Sequence, residues 1–86
     1  MNKNDLRDIL IKENFKPSAY SLDDEIKDEA LCLRKEDNGW CVFYSERGLQ
    51  TAKEYFKNES EACEYFIDEM RDDPTTKADW KSGFSM

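Results

Sequence analysis

Apolar residues recur along this chain first at helical spacing, then in alternation, then at helical spacing again. Leu6, Ile9 and Leu10 share one face at spacings of three and four, while Asp5, Arg7, Asp8 and Lys12 point elsewhere. That pattern predicts a helix over residues 4–14, with Asn2 or Asn4 as its cap. Pro17 blocks continuation and pushes the residue before it towards extended backbone. Residues 17–27 then read as a connecting loop, anchored by Tyr20 and Leu22.

Two strand-like runs follow, flanking Asp37-Asn38-Gly39-Trp40. Asn-Gly supplies the positive φ angles of a two-residue type I′ turn, so the pair predicts a β-hairpin. A turn centred there sets Asp37 opposite Trp40, Lys35 opposite Val42 and Leu33 opposite Tyr44. Leu31, Leu33, Trp40, Val42 and Tyr44 then share one face, and Cys32, Arg34, Cys41 and Phe43 the other. Residues 45–50, with Gly48 inside, predict a second turn. Residues 51–56 predict a third strand, because an isolated hairpin is marginal in water.

A second helix is predicted over residues 59–71. Asn58 is its cap, Glu61 stands where a capping box is completed, and Ala62, Cys63, Phe66, Ile67 and Met70 form one apolar stripe. Asp72-Asp73-Pro74 ends it. The expected fold is a single two-layer α+β domain over residues 1–74, with an N-terminal helix, an antiparallel hairpin or three-stranded meander, and a C-terminal helix on one sheet face. Residues 75–86 are polar apart from Trp80 and Phe84 and predict a loosely ordered tail anchored by Trp80.

Composition narrows the function. The chain has 86 residues, 38% of them charged, and a net charge of −7. That balance argues against nucleic acid, whose phosphates need Lys and Arg, and against anionic membrane surfaces. It favours a basic protein partner, since complementary charge speeds encounter. No run approaches the roughly 20 apolar residues of a membrane span, and the first residues lack the apolar core of a secretion signal. A cytoplasmic protein is expected. The three cysteines, Cys32, Cys41 and Cys63, are odd in number, show no CxxC spacing and lie among apolar neighbours, which predicts buried free thiols.

Candidate chemistry is sparse. The chain has no histidine, which removes the commonest general base and the commonest metal ligand. The cysteines are too far apart for a cysteine-only zinc site, and no glycine-rich phosphate loop occurs. Asp23-Asp24-Glu25 with Asp28-Glu29 lacks both the alternation and the glycine of a calcium loop. Paired carboxylates abound, but a chain this short can hardly enclose a sugar-sized cleft as well as its own core. The expectation is a binding protein with no catalytic residue, cofactor or metal.

The acidity is concentrated. Residues 54–73 carry eight acids against two bases, and residues 23–29 carry five against one. At 100° per residue, Glu61, Glu64, Asp68 and Asp72 form a stripe opposite Phe66 and Met70, with Tyr65 on its flank. Charge on a helix is usually a solvated face. Here, however, Glu64/Asp68, Asp68/Asp72 and Glu69/Asp73 are like-charge pairs four apart, each unfavourable by ~0.2–0.5 kcal/mol. Anions also crowd the C-terminal end, where the helix dipole disfavours them. The stripe residues Glu61, Glu64, Tyr65, Asp68 and Asp72, and the loop residues Asp23, Asp24 and Glu25, are therefore the candidate partner-binding residues.

The run Gly39-Trp40-Cys41-Val42-Phe43-Tyr44-Ser45-Glu46-Arg47-Gly48, followed by Tyr55-Phe56 and Glu61-Ala62-Cys63-Glu64-Tyr65-Phe66, resembles the small bacterial immunity proteins encoded beside polymorphic toxins, including those of contact-dependent growth inhibition systems. The resemblance covers about half the chain and rests on no catalytic motif. It implies a cytosolic protein that binds a cognate toxin domain one-to-one and blocks its active site. Many such toxins are nucleases with basic clefts, which an acidic helix would fill in place of the substrate backbone. The residues alone leave a second reading open, a small acidic interaction or regulatory module with an endogenous partner.

Overall fold

The computed structural model describes residues 1–22, 27–73 and 76–77. The element order is α1 (Lys3–Lys12), a short 3-10 turn (Pro17–Ala19), β1 (Tyr20–Ser21), β2 (Ala30–Glu36), β3 (Gly39–Glu46), β4 (Leu49–Phe56) and α2 (Glu59–Asp72). The fold is α+β, with the helices packed on a four-stranded mixed sheet of order β1-β2-β3-β4. Strands β2, β3 and β4 form the antiparallel meander. The two-residue β1 adds in parallel to β2, within the stretch expected to be loop.

Helix α1 starts at Asn2, whose side chain accepts from the Asp5 amide (2.9 Å) while the Asp5 carboxylate accepts from the Asn2 amide (3.2 Å). Two orphan amides are thereby satisfied reciprocally. At α2, Asn58 likewise accepts from the Glu61 amide (2.8 Å). Helix α1 ends two residues earlier than the apolar pattern suggested, because Asn14 turns into the left-handed region (φ 62°), a common helix stop for this residue. The Glu59 carboxylate accepts from the Lys3 amide at one end, and Glu13 binds Arg71 at the other. The two helices therefore run in the same direction, side by side.

The hairpin between β2 and β3 forms, but its register differs from the expected one by two residues. Leu33 faces Val42 and Lys35 faces Trp40, so Asp37 and Asn38 make the turn. A shift of two preserves which side chains share a face, since the side-chain period of a strand is also two. Gly39 serves another purpose than a turn. A Cβ there would lie 2.1 Å from the Phe56 carbonyl oxygen, and φ is +146°, so only glycine lets β3 start this close to the end of β4. The type I′ geometry appears one connection later, at Arg47 (φ 51°) and Gly48 (φ 82°).

Each sheet face buries its own cluster. Leu33 and Val42 join Leu6, Leu10, Ala62, Cys63, Phe66 and Met70 beneath the helices. Truncating Phe66 to alanine there costs about 3–5 kcal/mol. Ala30, Cys32, Cys41 and Phe43 form a second cluster on the opposite face, with the Arg34 guanidinium 5.0 Å from the Phe43 ring centroid. All three cysteines are buried free thiols. Burial pushes each upward in pKa, Cys63 to about 11. Strand β4 is the exposed edge, joined to the rest chiefly through β3 and bulged at Ala52 (φ 53°).

Of the tail expected from residue 75 onward, Thr76 and Lys77 are described, and both are docked. The Lys16 amide donates to the Thr76 carbonyl (2.7 Å), and Lys77 lies over the Phe15 ring at 4.3 Å while donating to the Glu13 carbonyl (2.6 Å). Trp80 and Phe84 lie outside the described residues. Among the described residues, no helix is long and apolar enough to cross a membrane.

Candidate functional site

The last two turns of α2 stand over one end of the sheet without covering it. Between them and the start of β2 opens a cleft of about 780 Å³. Leu31, Met70 and Ala19 line its apolar part, and the half-buried rings of Tyr44 and Tyr65 belong to its walls. Asp28 and Glu29 contribute carboxylates from the turn into β2, and Glu69, Asp72 and Asp73 from the end of α2. Among the described residues, Lys16 is the one basic residue of the lining.

The geometry of these acids follows from local structure. Asp28 is held by the β3–β4 turn, its carboxylate accepting from the Arg47 amide (2.5 Å). Glu29 sits at a left-handed φ of 54°, and Ala52, across the cleft, at 53°. Each is a strained position for a residue with a Cβ, costing on the order of 1 kcal/mol. On α2, residues 65, 69, 72 and 73 fall on the flank that turns towards the open end of the sheet. The Tyr65 phenol donates to Glu69 (2.9 Å), and its ring meets Phe56 at 5.1 Å between centroids.

Both phenols of the cleft hold their protons more tightly than usual, through burial first and then through the carboxylates around them. Tyr65 is pushed up to about 12, by burial first and then by its hydrogen bond to Glu69 and the negative charge of Glu69 and Glu54. Tyr44 is raised as well, by burial first and then by Glu46, Glu29, Asp73 and Asp28. Among the described residues, no group of three or more Cys, Asp or Glu side chains gathers as a metal site.

The structure divides the acidic stripe on α2. Asp72 and Tyr65 line the cleft, whereas Glu61, Glu64 and Asp68 are exposed on the helix outside it. Glu61 and Asp72 are separated by roughly 16 Å of helix axis, at 1.5 Å per residue. Glu64 accepts from the Ser60 hydroxyl (3.3 Å), a local contact on the same helix. Asp23, Asp24 and Glu25 lie outside the described residues. Asp28 and Glu29 belong to the acidic concentration at residues 23–29, whereas Lys16, Tyr44, Glu69 and Asp73 were not among the candidate binding residues. The like-charge pair Glu69/Asp73 near the helix end and the acidic excess at residues 23–29 were the signals that pointed there. Tyr55 is 63% exposed on the β4 edge.

Compared with known protein families, curated proteins and solved structures, the chain matches none of them.

Proposed function

We propose that this chain is an immunity protein that binds a basic bacterial toxin domain, of the nuclease type, and blocks its active site. The observation that carries the reading is the convergence of five carboxylates on one open cleft, in a chain of net charge −7. Nuclease clefts are lined with Lys and Arg to neutralise phosphates, and a concave acidic surface is complementary to them. The hairpin-to-helix resemblance supports a toxin domain as the partner. The compartment belongs to the same proposal: an inhibitor of a nuclease acts where nucleic acid is, in the cytoplasm. Association is one-to-one, and no nucleic acid or membrane takes part.

Co-expression with the toxin domain encoded beside its gene tests the reading. The chain restores growth, and the purified proteins elute as a one-to-one complex. Growth arrest that persists despite soluble expression of both proteins would contradict it. A second reading has its own support in the β4 edge, where Leu49 is 67% and Tyr55 63% exposed. An endogenous partner adding a strand there would make the chain a regulatory module, with binding that depends little on salt.

A further inference from the structure

We propose that the cleft takes an arginine side chain of the partner, its aliphatic stem over Leu31 and Met70 and its guanidinium among the carboxylates of Glu29, Glu69 and Asp72. This rests on the reading of the chain as a binder of a basic protein and names the group that is bound.

Two observations converge on it. Among the described residues, no ion pair engages Glu29, Glu69 or Asp72, although acids elsewhere are paired, Glu36 with Arg34 and Glu13 with Arg71 and Lys77. Cations of the chain stand over three aromatic rings elsewhere. Lys77 lies over Phe15, Lys35 over Trp40 and Arg34 over Phe43, at 4.3, 5.1 and 5.0 Å. Tyr44 and Tyr65 hold no cation of the chain among the described residues. The cleft therefore sets carboxylates that make no ion pair beside two half-buried phenol rings, over an apolar floor. An isolated metal ion would not use the rings or the floor.

Arginine fits this set better than lysine. Its planar fork pairs with two carboxylate oxygens at once and stacks on aromatic rings, and its weaker hydration lowers the cost of entering a half-enclosed cleft. Lysine presents a compact, strongly hydrated charge.

The test is a nuclear magnetic resonance titration of the full chain with a short acetylated, amidated peptide carrying adjacent arginines. Matched peptides replace arginine by lysine or by uncharged citrulline. The expected result is saturable shifts at Leu31, Tyr44, Tyr65 and Met70 with the arginine peptide, weaker binding of the lysine peptide and none of the citrulline one. In the exposed pair of variants Glu69→Gln and Asp72→Asn combined, affinity falls by about tenfold or more, the loss of charge-assisted contacts. An unchanged thermal unfolding curve shows that this variant is folded. Shifts confined to Glu61, Glu64 and Asp68, equal binding of lysine and arginine, or citrulline binding as well as arginine would each overturn the proposal. If the cleft fails this test while growth protection holds, the inference alone is wrong. If arginine binds the cleft while protection fails, the toxin reading is wrong and the cleft's preference stands.

Discussion

The phenol of Tyr65 donates to the Glu69 carboxylate across 2.9 Å, so two residues one helical turn apart form a joined wall of the acidic cleft. The bond is made by the neutral phenol, and it adds to burial and nearby negative charge in holding the proton on Tyr65 up to about 12. The folded state thus keeps a proton that the unfolded chain gives up near 10. The stabilisation is present below pH 10 and disappears as pH rises from about 10 through about 12. Site-resolved titration of the Tyr65 ring signals should show this late ionisation. In Glu69→Gln the midpoint drops towards the ordinary phenol value, and a Tyr65 midpoint that does not move would show that Glu69 has no part in it.

Glu13 and Arg71 join the C-terminal ends of α1 and α2, and the arginine hydrogen bond holds the Glu13 carboxyl below its ordinary value of 4.5. A depressed carboxylate stabilises the fold above its unfolded pKa, and that contribution is lost as pH falls through the folded one. Both side chains are partly exposed, so the effect is small and screened by salt. Thermal unfolding of Glu13→Gln should lie slightly below wild type at neutral pH, and the two curves should merge well below pH 4.5. A gap that stays constant down to strong acid would place the effect in packing and not in the ion pair.

Gly39 gives the sharpest stability prediction. An alanine there places its Cβ 2.1 Å from the Phe56 carbonyl oxygen, at a φ that side chains rarely adopt. Something must shift, and the neighbour is backbone. Gly39→Ala should lower unfolding free energy by about 2 kcal/mol or more, read from denaturant midpoints. Asn38→Ala, at a turn residue whose φ is negative, should cost far less. Equal costs would mean that the turn and not the strand contact sets the requirement.

These cases show what the sequence made legible. The helices were readable because their apolar residues recur at helical spacing and because Asn2 and Asn58 cap them. The hairpin was readable from its alternation, and its faces survived the wrong register because the shift was even. The register itself was not readable. The reason Gly39 is glycine lies in Phe56, which becomes a neighbour only when β4 pairs with β3. Strand β1 left no signal, since two residues cannot display a period. The candidate site was half visible: Asp72 and Tyr65 belonged to the stripe, but Asp28 and Glu29 join them only through the fold. Tyr44, assigned by alternation to the helix-covered face, proved to sit where that cover stops.

An acidic cleft that receives a basic protein leaves its mark on the association rate. The chain would be mixed with the toxin domain encoded beside its gene, from low salt up to about 1 M, where the Debye length shrinks to ~3 Å. The association rate should fall steeply with salt. Glu69→Lys with Asp72→Lys should abolish most of that dependence, while Glu61→Lys with Glu64→Lys should leave most of it in place. A rate indifferent to salt, or one lost only with the Glu61 and Glu64 substitutions, would contradict a role for the cleft.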